Sequence, residues 1–248
     1  MSVYEQLSSK DAWQEYFSYK KEMRHLTRSE EAELEQFIRE EGYRPVLSRI
    51  RAFLADLSES GDPGETLPVP ELRLIRKSGS SRKRAVYLYP YPDNTVFKLL
   101  SFLLIRKYDA VFPENLFSFR VSRGLNKAVR KLLTAPGIGS MYSYKADIRD
   151  YFNSIPVPLL LPILEETLAD EPECFSLLRG LLTDRRVLDR GQVLEAEKGV
   201  MAGTPFSVFL ANLYLVGLDR QMESRGVLYA RYSDDIILFA GAADRRGR

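Results

Sequence analysis

The chain has 248 residues, 36 Lys and Arg against 34 Asp and Glu, one cysteine, one histidine and a formal net charge of +2. That length is ample for a buried core, and 45% hydrophobic with 28% charged residues is a globular rather than a disordered composition. Cys174 alone excludes a disulfide scaffold or a multi-Cys zinc site, and His25 alone cannot build a His-based metal site and leaves Ser or Cys triads little appeal. Acidic and basic side chains are left to carry any chemistry.

The charge is unevenly spread. Residues 1–70 hold nine basic and fourteen acidic side chains, residues 71–131 fourteen and four, and residues 132–248 thirteen and sixteen. A block so basic inside a near-neutral chain points to a polyanion partner. Residues 1–70 read as a helical N-terminal extension. Thr27 with Glu30 forms a capping box, Leu34, Phe37 and Ile38 share a face, and a second helix runs from Pro45 to Leu57. The Ser-, Gly-, Pro- and acid-rich run from Ser58 to Pro70 reads as a linker. Leu72 to Lys77 and Ala85 to Tyr89 then alternate as strands around a Ser78–Ser81 turn. This hairpin gathers Arg76, Lys77, Arg82, Lys83 and Arg84.

Thr95 to Tyr108 reads as a buried helix, Gly124 to Leu133 as a basic one, and Met141 to Asp147 as a strand with an acid at its end. Helices follow over Val157–Thr167 and Cys174–Leu182. A further apolar helix opens at Gly203 and runs through Leu218, with Asn212 buried in its centre. Val227–Arg231 and Ile236–Ala240 read as strands flanking the turn Tyr232-Ser233-Asp234-Asp235. The longest apolar stretch, Val96 to Ile105, is broken by Lys98 and Ser101 and is too short to span a bilayer. With no basic-then-apolar leader, a cytoplasmic chain is expected.

Asp in a bend ordinarily bonds nearby backbone amides. Two adjacent carboxylates repel, however, and a hard divalent cation favours their charged forms. Asp147 ends another strand, in Lys145-Ala-Asp-Ile-Arg-Asp-Tyr-Phe-Asn-Ser-Ile155. Three aspartates delivered by two strands to one sheet edge suit a pair of Mg²⁺ ions, which together clamp the attacking and leaving oxygens of a phosphoryl transfer.

These residues resemble the reverse transcriptases, in particular the bacterial ones. Tyr232 to Asp235 is similar to the family's YxDD box, and Asp147 to Ile155 to its first catalytic motif. Lys198 to Leu215 is similar to the intervening substrate-handling motif, while the basic hairpin and Ser118-Phe119-Arg120 resemble fingers motifs. The resemblance covers roughly residues 72–240. It implies an α+β right-hand polymerase with fingers and a ferredoxin-like palm, and no thumb within the sequence. The expected division is a helical extension over 1–70, mainly fingers with the first catalytic strand over 71–200, and palm over 201–248.

The resemblance further implies RNA-directed DNA polymerase activity, a nucleotidyltransferase adding dNTPs to a 3′ end on an RNA template and primer. Asp147 and Asp234 would be the principal ligands of two Mg²⁺ ions, with Asp235 in support. Lys77 and Arg84 are expected on the triphosphate, and the amides from Ile148 through Asp150 to Phe152 around its phosphates. Phe152 stands where the family keeps the ring that excludes a 2′-hydroxyl, while Ala202 and Gly203 line the nucleotide site. Arg82, Lys83, Arg120 and Tyr232 are expected on nucleic acid.

Ala202 departs from the family pattern, which has Gln before the glycine. Together with Val208 after Ser207 and a single histidine, it leaves the unassigned bacterial enzymes tied to anti-phage defence as the nearest subgroup. A thumb-bearing partner or a missing C-terminal segment is expected to complete the grip on duplex. The alternative is a catalytically weak or inactive nucleic-acid-binding palm module.

Overall fold

The computed structural model describes residues 1–60, 66–76, 83–121, 123–196 and 199–241. Four helices open the chain: α1 (Val3–Gln6), α2 (Lys10–Glu22), α3 (Arg28–Arg39) and α4 (Arg44–Ser60). The Thr27 hydroxyl accepts from the Glu30 amide and the Glu30 carboxylate from the Thr27 amide, so α3 starts where the capping box places it. Trp13 is fully buried on α2, stacked on Tyr43 with ring centroids 5.2 Å apart.

Strands β1 (Glu71–Arg76) and β2 (Lys83–Leu88) form the expected antiparallel hairpin. Lys77 and Arg82, at its loop, lie outside the described residues, as do residues 61–65 of the expected linker. The linker's far end is tied down: Leu67 is buried, and the Leu188 amide donates to the Pro70 carbonyl at 2.9 Å. Next come α5 (Asp93–Lys107), apolar on nearly every side and buried along most of its length, and the basic α6 (Leu125–Leu133).

The remaining elements are β3 (Tyr142–Asp147), the one-turn α7 (Tyr151–Ser154), α8 (Val157–Thr167), α9 (Pro172–Thr183), β4 (Arg186–Asp189) and β5 (Gln192–Glu195). They are followed by α10 (Ser207–Tyr214), α11 (Val216–Ser224), β6 (Leu228–Tyr232) and β7 (Asp235–Ala240). Two of these differ from expectation. The single helix expected from Gly203 to Leu218 starts only at Ser207 and breaks at Leu215. The β4–β5 hairpin was not foreseen.

Among the described residues the strands form two sheets, ordered β2-β1-β4-β5 and β3-β7-β6. The first is the fingers sheet, in which β1 meets β4 in parallel through Glu71 and Leu188. The second is the palm sheet, antiparallel throughout and prolonged at β6 by a bridge between Leu116 and Arg231. One hydrophobic cluster runs from Val3 to Val216, so the N-terminal helices share the core of the fingers and palm. No helix among the described residues is long and apolar enough to cross a membrane.

Candidate active site

The palm register brings the sequence's isolated acids together. Asp147, the last residue of β3, lies directly opposite Asp235, the first of β7, and Asp235 lies opposite Tyr232 of β6. Directly opposed residues have Cβ atoms about 5 Å apart on one face of a sheet. Asp234 occupies the turn between β6 and β7, next to Ser233, whose φ of 61° is left-handed. Two residues before Asp147 on the same strand face, Lys145 extends its Nζ to Asp235 Oδ1 at 2.7 Å.

The hydrogen bond to Asp235 raises the Lys145 pKa above its ordinary value, with further contributions from the Asp235, Asp147 and Asp234 charges. All three carboxylates therefore act on one cation. Among the described residues no three His, Cys, Asp or Glu side chains are drawn together as a metal cluster. The donor set nonetheless fits the implied ions, since hard carboxylate oxygens gather at one sheet edge, although the Lys145 ammonium on Asp235 is a competitor that a metal would have to displace.

The turn rests on a buried ion pair. Arg231 and Asp219 are each 0% exposed, with Arg231 Nη2 2.5 Å and Nε 2.8 Å from the Asp219 carboxylate oxygens. Burial alone would lower the Arg231 pKa, yet hydrogen bonding to Asp219 carries it above its ordinary value. The Tyr229 hydroxyl also donates to Asp219, and burial pushes its pKa up, so it remains a neutral donor. Arg231 spends its other donors on the carbonyls of Asn212 and Ser233, at 3.1 and 3.3 Å.

Beside the carboxylates a second group of expected residues converges. The Val200 and Gly199 amides donate to the carbonyls of Phe152 and Asn153 at 2.9 and 3.0 Å, and Asn153 Oδ1 accepts from the Ala202 amide at 3.1 Å. From the fingers, the Tyr87 amide donates to the Ala202 carbonyl at 2.7 Å. Gly203 has a φ of 96°, and a methyl there would stand 3.1 Å from Val86 Cβ and 3.2 Å from the Tyr87 carbonyl oxygen. The segment 199–203 is thus clamped between β2 and α7.

Phe152 is half-buried against the main core, its ring 5.5 Å from that of Tyr151. Asp150 takes a left-handed φ of 49° and accepts from Asn153 Nδ2 at 3.0 Å. Ile148 packs against the core. Because α7 has only four residues, any phosphate cradle from Ile148 to Phe152 rests on individual amides and not on a helix dipole. Arg84 and Lys83 are exposed on β2, and alternation sets Arg84 on the strand face of Val86, the residue against Gly203.

Arg120 is corrected. Its side chain is 4% exposed, with Nε 2.7 Å and Nη2 2.8 Å from the Asp109 carboxylate and Nη1 2.7 Å from the Pro113 carbonyl. A guanidinium so enclosed brackets its own loop and has no fork left for phosphate. Its neighbour Phe119, quoted in the same motif but assigned no role there, is the exposed member. It has a left-handed φ of 54° and sits 6.4 Å from the Tyr232 ring, giving two exposed aromatic faces beside the turn. An aromatic flanked by Ser118 and Arg120 was the available signal.

Paired carboxylates on an antiparallel palm hairpin, with a basic fingers strand bonded to the segment 199–203, fit the class of right-hand nucleic-acid polymerases. The family model described as reverse transcriptase (RNA-dependent DNA polymerase) matches residues 75–246, and the chain belongs to that family. Among curated proteins, none matches the sequence. Among solved structures, telomerase from Candida albicans in complex with a fragment of telomeric RNA is similar over 72% of this chain and 39% of that one. The TM-score is 0.52 at 14% identity. Apo telomerase from Candida tropicalis, truncated of its C-terminal domain, is similar over 71% and 44%, with a TM-score of 0.54 at 13% identity. A partial Cas6-RT-Cas1–Cas2 complex aligns over 98% and 39%, with a TM-score of 0.48 at 17% identity. At such identities the likeness to the two telomerases is one of fold, and this chain spans less than half the length of each of the three.

Proposed function

We propose that this chain is the fingers and palm of an RNA-directed DNA polymerase that adds dNTPs to a 3′ end. The carrying observation is the register that sets Asp147 opposite Asp235 with Asp234 in the adjoining turn. Asp147 and Asp234 would hold two Mg²⁺ ions, with Asp235 in support; when bound, such ions activate a 3′-hydroxyl and neutralise triphosphate charge. The chain's own residues supply the rest. Arg84 reaches toward the triphosphate, with Lys77 from the same hairpin. Phe152, fixed through its carbonyl to Val200, limits room at the sugar 2′ position, and Ala202 and Gly203 shape the base side. Lys83 and Tyr232, joined by Phe119, face the template and primer in this reading, and Arg82, outside the described residues, is assigned with them from the sequence.

We place the chain with bacterial enzymes of anti-phage defence, acting in the cytoplasm. The support is its departure from the family pattern at Ala202 and Val208 and its lack of any histidine but His25. A thumb-bearing partner or a further C-terminal segment completes the duplex grip in this reading. A second reading, a non-catalytic RNA-binding palm, is favoured by the Lys145 ammonium seated on Asp235.

Incorporation of dNTPs on a primed RNA template separates the two. The polymerase reading expects Mg²⁺-dependent extension, abolished by Asp234→Asn with RNA binding intact, and more ribonucleotide incorporation from Phe152→Ala. RNA binding without any incorporation, even at high protein concentration, overturns it in favour of the module.

A further inference from the structure

Beneath the turn lies a buried polar web that the proposed chemistry leaves unused. Asn212, in the apolar middle of α10, donates from Nδ2 to the Ser118 carbonyl at 2.9 Å. Its Oδ1 accepts from Ser118 Oγ at 3.2 Å. The same Ser118 hydroxyl oxygen accepts from the main-chain amide of Ser233 at 2.8 Å. Ser118 is 0% and Asn212 2% exposed, so neither side chain has water as an alternative partner.

The web ends on a strained residue. A serine at positive φ persists only where its surroundings over-determine it. Here both main-chain polar groups of Ser233 are held: the amide by Ser118, the carbonyl by Arg231. Ser118 comes from the loop before α6, Asn212 from α10 and Arg231 from β6, so three distant segments converge on one peptide unit. The next two residues are Asp234 and Asp235. Fixing the Ser233 backbone therefore fixes the direction in which both carboxylates leave it.

We propose that Ser118 and Asn212 are positioning residues that hold the turn's carboxylates in their cation-binding arrangement; this rests on the metal-carboxylate reading above. Simple satisfaction of buried polar groups would predict a loss of stability alone. Positioning predicts that cation affinity falls in molecules that remain folded.

The test is Mn²⁺ binding to the full chain, followed by electron paramagnetic resonance, with amide hydrogen exchange over residues 232–235. Ser118→Ala orphans the Ser233 amide. It is expected to bind Mn²⁺ about tenfold more weakly, the effect of one buried donor losing its acceptor, and to exchange faster at the turn. Ser118→Thr, which keeps the hydroxyl, restores binding. Thr167→Ala removes a part-buried hydroxyl far from the turn, bonded to the Ile163 carbonyl at 2.7 Å on α8, and leaves Mn²⁺ affinity unchanged. If Ser118→Ala does not fold, Asn212→Ala gives a smaller loss of the same sign, because it frees Ser118 while leaving the Ser118 hydroxyl on the Ser233 amide.

Unchanged Mn²⁺ affinity in folded Ser118→Ala or Asn212→Ala overturns the positioning role. Absence of Asp147-dependent Mn²⁺ binding in the unsubstituted chain is a separate result. It overturns the metal reading, and the positioning role with it.

Discussion

Arg231 shows how much depends on one side chain that never reaches solvent. A buried ion pair is weak evidence for stability, because desolvating both ions offsets most of their attraction. Removing one partner is different, since the other charge remains buried and uncompensated. Arg231→Met should therefore destabilise the chain by about 3–5 kcal/mol, while adding Asp219→Leu should recover part of that loss. Urea denaturation of the single and double variants measures both, and a double variant no more stable than the single would contradict the account. None of this was legible in the sequence, where Arg231 and Asp219 are twelve positions apart and look like ordinary surface residues. Arg120 misled for the same reason. Its place in a segment resembling a fingers motif suggested nucleic acid, and only the fold shows Asp109 standing beside it.

At the scale of elements, the sequence was most informative where a pattern is local. The capping box of α3, the alternating β1–β2 hairpin and the acidic turn between β6 and β7 are each written within a few residues. Their structural bounds fall close to the expected ones. The β4–β5 hairpin escaped because its strands have four residues each and mix charged with apolar side chains. Its signal was the turn Arg190-Gly191, where both residues take left-handed φ angles of 50° and 82°. The helix expected from Gly203 begins late because Gly203 itself has positive φ and residues 199–203 are committed to the clamp between β2 and α7.

That clamp gives a test of the joint between fingers and palm. A methyl at Gly199 would run into the Phe152 carbonyl oxygen and stand 2.8 Å from the Asn153 carbonyl carbon. These are main-chain atoms, which cannot swing aside as a side-chain tip can. Gly199→Ala should cost about 1–3 kcal/mol as overpacking. It should also pull Ala202 from Asn153 and raise the KM for dNTP more than it lowers kcat. An unchanged KM would show that the clamp has no part in nucleotide handling.

At the scale of the molecule, the N-terminal helices share the main core of the fingers and palm, despite a sequence that divides at an apparent linker, while a small second cluster of Phe117, Ala128, Leu132 and Ala230 lies under the palm sheet. Phe53 of α4 is 1% exposed and packs directly over Gly180 of α9. The main-chain amide of Val3 donates to the fully buried Glu171, which Lys107 of α5 also holds at 2.5 Å. These contacts cross the linker and join the N-terminal helices to fingers and palm. A linker read from composition records where the chain turns, and carries no information on whether the cores on either side are separate. Trp13, the only tryptophan, sits at the centre of the N-terminal helices and reports on them alone. Gly180→Ala would drive a methyl into the Phe53 ring, at a cost of about 1–3 kcal/mol for an overpacked core. In one cooperative unit, Trp13 fluorescence and far-UV circular dichroism must then shift to lower urea together and by the same amount. If residues 1–60 fold independently, the Trp13 transition stays in place while the rest moves. That outcome would make residues 1–60 a separate folding unit, against the core they share with the rest.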